Sequence, residues 1–182
     1  MKKITCMLIF SIVLSGNLFS QEKGFGFTTG IDLVGLFYGD ESPSASVVPT
    51  IYYISRTETA QIEPSLSYYS SSSDDDDGDV KRSQIGIGFG YLQPQYTSDN
   101  FTSYIGGRLL YSMISTKYSY SGDDYDDSQI SIAPVYGAEY KFSNHFSVGG
   151  ELRLNIVLPS AEDESDTRTI YTSTALFFRF YK

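Results

Sequence analysis

Residues 168–182, RTIYTSTALFFRFYK, decide the fold of this chain. Side chains of an extended strand point alternately to its two faces, so this segment has two different sides. One side carries Arg179, and the other is almost entirely apolar. The apolar side is formed by Ile170, Thr172, Thr174, Leu176, Phe178 and Phe180. A sheet that faces lipid must close on itself, because lipid cannot satisfy the backbone groups of an open edge. We therefore predict that this last strand pairs with the first and closes a barrel.

Seven earlier segments show the same alternation, and clusters of turn-forming or charged residues separate them. With the last segment, the predicted strands are 24–39, 45–55, 60–70, 80–93, 101–116, 129–142, 146–158 and 168–182. Each is long enough to cross a membrane as a tilted strand, which takes roughly 9 to 11 residues. The sequence thus predicts an all-β chain that folds as an eight-stranded antiparallel transmembrane up-and-down β-barrel.

The connections between these strands alternate in length and charge. The first, third, fifth and seventh are longer and acidic, whereas the second, fourth and sixth are short turns. The acidic ones hold 15 of the 22 acidic residues, namely Asp40, Glu41, Asp74, Asp75, Asp76, Asp77, Asp79, Asp123, Asp124, Asp126, Asp127, Glu162, Asp163, Glu164 and Asp166. Outer-membrane barrels have long extracellular loops and short periplasmic turns, so we predict this orientation. The alternation alone leaves open a soluble lipocalin-like periplasmic barrel, whose apolar face would point inward to a ligand.

The first twenty residues form a different kind of segment. Lys2 and Lys3 precede an apolar run over 4–14, and a more polar stretch of small residues ends at Ser20. This order is typical of a secretory signal peptide, and the run is shorter than the roughly 20 residues of a spanning helix. We predict a signal peptide at 1–20 and a barrel domain at 21–182, located in the cell outer membrane. Cys6, the only cysteine, lies in this leader, which leaves the mature barrel without a disulfide.

Eight charged residues inside the predicted strands fall on the face opposite the apolar one. They are Asp32, Glu63, Arg108, Glu139, Lys141, Glu151, Arg153 and Arg179, four acidic and four basic. With the apolar face toward lipid, this balanced set lies in the lumen. An unpaired buried charge is costly, so we predict that these side chains form ion pairs across the barrel.

Aromatic residues concentrate near the predicted strand ends. One group is Phe25, Phe27, Tyr53, Phe101, Tyr140, Phe142, Phe178 and Phe180, and the other is Phe37, Tyr68, Tyr111 and Tyr118. Two belts of this kind are typical of the two interfaces between a membrane and water. They predict contact with outer-membrane lipids.

The carboxyl end resembles that of the small OmpA/OmpX-type outer-membrane barrels. The assembly signal of that family has a polar residue, a small residue two positions later and two alternating aromatics, which Ser173, Ala175, Phe178 and Phe180 match. Ala175 stands where glycine is usual, and Tyr181 and Lys182 extend past the terminal aromatic residue. The resemblance covers 21–182 and implies an outer-membrane barrel that meets the barrel-assembly machinery during biogenesis.

The acidic connections are also candidate cation sites, since clustered carboxylates suit Ca²⁺ or Mg²⁺. Residues 73–84 match an EF-hand loop only in part, because Ser73 and Gln84 stand where the first and last carboxylates belong. We therefore expect solvated loops that attract divalent cations diffusely, rather than a specific metal site. We also expect no cofactor. The net charge of −9 disfavours nucleic acid as a partner.

No catalytic site is predicted. His145, the only histidine, falls in a predicted periplasmic turn, away from the outer rim where a lipid-modifying enzyme would act. The predicted function is a structural or surface-binding role through the acidic extracellular loops, without enzymatic activity and as a monomer. The alternatives are a narrow pore, which an eight-stranded barrel disfavours because side chains about fill it, a lipid-modifying enzyme, and the soluble ligand-binding barrel.

Overall fold

The computed structural model describes residues 22–31, 48–75, 78–118, 124–158 and 168–182. It has eight strands in chain order: β1 (Glu22–Ile31), β2 (Thr50–Arg56), β3 (Gln61–Asp75), β4 (Gly78–Thr97), β5 (Phe101–Tyr118), β6 (Asp124–Ser143), β7 (Phe146–Leu158) and β8 (Thr169–Tyr181). Each strand pairs with the next, and together they form a closed barrel. The predicted all-β, antiparallel, up-and-down architecture is confirmed. No helix in the described part of the chain is long and apolar enough to span a membrane.

The closing strand occupies the predicted seam. β8 pairs antiparallel with β1 from Gly24 opposite Tyr181 to Ile31 opposite Thr174, and its other edge pairs with β7. We call the end of the barrel where β1 begins and β8 ends, with the turns at 57–60, 98–100 and 144–145, the lower end. The opposite end, where β1–β2, β3–β4, β5–β6 and β7–β8 are joined, is the upper end.

The two faces of the sheet show which side meets lipid. On the outer face Ile51, Ile87 and Leu109 have exposed fractions of 61%, 60% and 49%. On the inner face Glu63 and Arg179 are completely buried. The apolar face therefore points outward, as a membrane barrel requires. This arrangement contradicts the alternative of a soluble barrel with an apolar lumen.

Two strand pairs reach further at the upper end than we predicted. The acidic segment 70–79 was expected to be a loop, but β3 and β4 stay paired up to Asp75 opposite Gly78. Similarly, β5 and β6 stay paired up to Lys117 opposite Asp124, within the connection that was predicted between residues 116 and 129. Charged and serine side chains are compatible with a strand where both faces meet water, so polarity alone was a poor guide to the end of pairing. Residues 76–77 and 119–123 lie outside the described residues.

The other differences concern the ends of the first two strands. Residues 32–47, which include the ends of both predicted segments and Asp32, lie outside the described residues, as do 1–21 and 159–167. β2 begins directly after Pro49, which cannot donate a ladder hydrogen bond. At its other end β2 includes Arg56, which we had expected in a turn.

Candidate functional site in the barrel interior

Arg179 on β8 is the centre of the interior. Its Nη2 lies 2.7 Å from Glu63 Oε1, and its Nη1 donates to Glu139. Its guanidinium also lies over the Phe177 ring, 4.0 Å from the centroid. β8 thus brings its only arginine to carboxylates from β3 and β6, because alternation turns residue 179 inward.

A second arginine completes the middle of this cluster. Arg108 Nη2 lies 2.6 Å from Glu63 Oε2, and Arg108 Nε donates to Glu151 Oε2 at 2.9 Å. Glu151 also accepts from Tyr104 Oη at 2.8 Å and pairs with Arg153 Nη2 at 2.7 Å. Each buried glutamate therefore faces at least two cationic or hydroxyl donors, which offsets the cost of removing its charge from water.

A further layer lies toward the lower end. Arg56 Nη2 is 2.6 Å from Glu139 Oε1, and Tyr181 Oη lies 3.1 Å from both oxygens of the same carboxylate. Lys141 Nζ donates to Glu22 Oε1 at 2.8 Å. Sequence reasoning missed Glu22 and Arg56 in this layer, whereas alternation along the predicted strand 168–182 places Tyr181 on the same side as Arg179. The period of two through 50, 52, 54 and 56 was the signal that could have placed Arg56 inside.

Three aromatic rings share the interior with the charges, and each lies against a glycine. A Cβ at Gly26 would meet the Tyr52 ring at 2.1 Å, one at Gly137 would meet Tyr104 at 2.5 Å, and one at Gly149 would meet Phe177 at 2.2 Å. All three rings are at most 2% exposed. Because the inward-facing glycines have no side chain, they make room for these three rings.

The predicted set of interior charges is confirmed for the described residues. Every member except Asp32, which lies outside them, takes part in the ion pairs of the lumen. We call Glu63, Arg108, Glu139, Glu151 and Arg179, with Tyr52, Tyr104 and Phe177, the plug.

The aromatic belt at the lower end is also confirmed. Ring centroids are 5.4 Å apart for Phe25 and Tyr53 and 5.2 Å apart for Phe146 and Phe180. The upper belt is only partly as predicted. Tyr68 and Tyr111 face outward, whereas Tyr118 lies on the same side of β5 as the inward Ser112 and therefore leaves the belt. Phe37 lies outside the described residues.

Cavities lie on both sides of the plug. One of about 300 Å³ opens at the upper end, and a smaller one of about 70 Å³ lies next to it and shares Arg153 and Asn155 with it. A third, of about 370 Å³, opens at the lower end beside Glu22, Arg56 and Lys141. The plug separates the upper cavities from the lower one.

The remaining candidates from the sequence, His145 and residues 73–84, are not part of the plug. His145 lies in the lower turn between β6 and β7, where its carbonyl accepts from Tyr181 N at 2.9 Å. Most of 73–84 is paired strand, from Ser73 opposite Val80 onward, and this backbone is incompatible with an EF-hand loop. Within the described ranges no three His, Cys, Asp or Glu side chains are grouped so as to hold a metal.

Solved structures that are similar to this chain come from several bacteria. Neisserial surface protein A superimposes with a TM-score of 0.55 at 14% identity, over 87% of this chain and 94% of that one. Ail of Yersinia pestis gives 0.48 at 10% identity, over 88% and 94%. The amino-terminal barrel of Pseudomonas aeruginosa OprF gives 0.48 at 11% identity, over 90% and 98%. A comparison with curated protein sequences gives no match.

At the sequence level, the model of one family, described as the outer membrane protein beta-barrel domain, matches residues 8–178. That range takes in all eight strands, although it stops just before the last residues of β8. The match agrees with the outward apolar face, the aromatic belt and the charged lumen. This protein therefore belongs to the outer membrane protein beta-barrel domain family and lies in the cell outer membrane.

Proposed function

We propose that this protein is a non-conducting outer-membrane barrel with a structural or surface-binding role, which it performs at its extracellular upper end without catalysing a reaction. The observation that supports this proposal most is the plug. Glu63, Tyr104, Glu139, Phe177 and Arg179 are each at most 2% exposed, although they lie in the lumen of a membrane barrel. Their contacts fill the middle of the barrel, where a pore would need a continuous path of water.

The plug also argues against an enzyme in the lumen. Glu63, Glu139 and Glu151 are the carboxylates that a hydrolase could use, and all three are held in ion pairs with arginines. A general acid or base needs a free position for substrate, and these pairs leave none. His145 lies at the lower end, far from the outer surface on which a lipid-modifying enzyme works.

The extracellular end supports a binding role. Loops on a rigid scaffold are the usual place for recognition, and most acidic residues of this chain fall in the upper connections or in the strand ends beside them. The partners that follow are outer-membrane lipids around the aromatic belts and divalent cations attracted by the acidic connections. The barrel-assembly machinery would meet the chain during biogenesis, and the finished barrel would be a monomer that does not bind nucleic acid.

Conductance across a planar lipid bilayer tests the proposal. We expect the purified, folded protein to give no stable channel steps in concentrated potassium chloride. A variant that removes three plug side chains, Arg108→Ala with Glu63→Ala and Arg179→Ala, should give small steps if it remains folded, because it opens the middle of the lumen. Reproducible steps from the wild-type protein, absent from preparations of an unrelated closed barrel, would favour the pore instead.

A further inference from the structure

The ion pairs of the lumen form an alternating chain that begins and ends with an arginine. From the lower end upward its members are Arg56, Glu139, Arg179, Glu63, Arg108, Glu151 and Arg153. Arg56 also has a second carboxylate, since its Nη1 lies 3.4 Å from Glu22 Oε2. Arg153, at the other end, pairs with Glu151 alone among the described residues, and Arg108 shares that carboxylate. The upper end of this chain of charges therefore has more positive than negative charge.

Arg153 lines the cavity at the upper end, which we call the vestibule. Its volume of about 300 Å³ is at the lower limit of ligand pockets, which measure roughly 300 to 1,000 Å³. A second arginine, Arg82 on β4, lines the same cavity and has no ion pair within the described ranges. Asp127, the next inward residue of β6 above Gln129, is not part of the wall. Among the residues that the structure describes, the wall thus has two guanidinium groups and no carboxylate.

Neutral donors complete the wall. Gln84, Gln129 and Asn155 contribute amides, and serines from β3, β6 and β8 contribute hydroxyls. Gln84 Nε2 donates to Ser112 Oγ at 3.0 Å, which fixes this amide beside the cavity and leaves its second N–H for a ligand. Guanidinium groups bind phosphates and carboxylates through paired, charge-assisted hydrogen bonds, and the amides can donate to the remaining oxygens. The lining therefore favours an oxyanion over a cation, which would meet two arginines, and over a neutral molecule, which would leave them without a counter-charge.

The surroundings of the vestibule limit the size of this anion. Acidic residues are concentrated in the upper connections and the strand ends beside them, so a long polyanion that extends out of the barrel would be repelled there. A small anion that lies inside the vestibule contacts the arginines directly, whereas salt screens exposed charges beyond about 8 Å at physiological ionic strength. The volume of the vestibule sets the same limit on size.

We propose that the vestibule binds a small anionic solute through a phosphate or carboxylate group, with Arg82 and Arg153 as its cationic contacts. This inference deepens the surface-binding role proposed above and rests on it. Arg82 provides a guanidinium that no carboxylate of the described residues occupies. Arg153 donates to Glu151 from Nε and Nη2, so its Nη1 is the group that meets the ligand.

Ligand-observed NMR titration of the full folded chain tests this proposal. The chain is held in micelles of dodecyl maltoside, because the phosphate of a phosphocholine detergent would compete for the site. The probes share one carbon skeleton and differ in charge, with glycerol phosphate and glycerate as anions, glycerol as the neutral probe and aminopropanediol as the cation. EDTA removes divalent cations, which could otherwise bridge an anion to the acidic connections.

We expect glycerol phosphate, which has the highest negative charge, to bind most tightly. Glycerol and aminopropanediol should bind at least about tenfold more weakly, because neither offers an anionic acceptor to the arginines. No binding of either anion, or binding of glycerol or aminopropanediol as tight as that of the anions, would overturn the proposal.

Two variants of neighbouring residues on β4 separate this site from general electrostatics. Arg82→Gln should weaken the binding of glycerol phosphate about tenfold, as the loss of a charged hydrogen-bond partner does, and should leave the barrel as stable as the wild type. Lys81→Gln, the matched control, removes the same charge from the next residue, which alternation places on the outer face opposite Lys117. It should change the affinity by less than about twofold. Arg82→Lys should fall between Arg82→Gln and the wild type, because an ammonium group keeps the charge but not the planar fork.

The outcomes for the two proposals are distinct. If Arg82→Gln binds glycerol phosphate as well as the wild type, or if Lys81→Gln weakens binding equally, the anion site in the vestibule is wrong. A barrel that binds no anion but remains non-conducting overturns only the anion site. Channel steps from the wild type would instead overturn the proposed function, whatever the NMR result.

Discussion

Arg179 is completely buried, and its two terminal nitrogens reach different glutamates, Glu63 and Glu139. No other arginine of the described residues is as fully enclosed by the barrel. A buried ion pair adds little to the stability of a protein compared with apolar side chains in place of both partners. Removing only one partner, however, leaves a buried charge without compensation and is strongly destabilising. The importance of Arg179 is therefore best measured by removing it alone.

We expect Arg179→Met to lower the free energy of unfolding by about 3 to 5 kcal/mol, because Glu63 and Glu139 lose a shared cation while methionine keeps the apolar stem. Urea titration in detergent micelles, followed by the loss of the faster-migrating folded band on unboiled gels, measures the change. Arg168→Met is the control at an exposed position at the start of the closing segment, and it should change stability by less than about 0.5 kcal/mol. Equal stability of both variants would contradict the central role of Arg179.

For single residues, the alternation of the sequence was enough to place seven charged side chains in the interior. Once the apolar face is assigned to lipid, a period of two puts these residues on the inner face. It could not tell which carboxylate meets which arginine, since those partners come from strands distant in sequence. Tyr181 shows another limit. It extends past the usual carboxyl-terminal pattern, and neither that pattern nor the alternation indicates that its hydroxyl lies 3.1 Å from Glu139.

The strands themselves are fitted to one another by glycine and ring pairs. Gly26 on β1 lies beneath Tyr52 of β2, and Gly149 on β7 lies beneath Phe177 of β8. These pairs link neighbouring strands on the inner face, where cross-strand contacts stabilise a sheet. The sequence shows that glycines alternate inward, but only the register reveals which ring covers which glycine.

We expect Gly26→Ala to destabilise the barrel by about 1 to 3 kcal/mol, because its Cβ would overlap the Tyr52 ring. Thermal unfolding in micelles compares it with Gly107→Ala, whose Cβ would have no neighbour closer than 4.0 Å. The control should be neutral or slightly stabilising. In a Tyr52→Ala background the cost of Gly26→Ala should largely disappear, and an unchanged cost would mean that the ring is not the cause.

Strand pairing also explains why the predicted strand ends at the upper end of the barrel were wrong. Residues 70–75 read as a loop because they are serines and aspartates, yet their backbone pairs with β4. Above the membrane a strand needs only a backbone partner, and a hairpin supplies one. The apolar pattern of a sequence therefore marks the membrane-spanning part of a strand better than its full length.

For the whole molecule, the outward apolar band predicts that a charge introduced on this face lowers the stability of the barrel. Leu109 is 49% exposed and lies within the outward apolar run of β5 between Phe101 and Met113. We expect Leu109→Arg to destabilise the barrel in lipid vesicles by about 2 to 4 kcal/mol, since the guanidinium would face the hydrocarbon core. Ser98→Arg, in a lower turn, should cost about 0 to 1 kcal/mol. Denaturant titration in vesicles measures both, and equal costs would contradict the placement of this band in the membrane.

The layout of the plug also bears on the order in which this protein is made. Arg179 comes from the last strand, and it pairs with Glu63, 116 residues earlier. Until β8 arrives, Glu63 and Glu139 lack this cation, and the seam between β1 and β8 is open. A chain interrupted before residue 179 would therefore leave Glu63 and Glu139 with one cation fewer each, in a sheet without its seam, a state that envelope proteases could distinguish from the closed barrel. β8 thus both closes the wall and completes the ion pairs of the interior, so closure of the barrel and stability of its interior depend on the same strand.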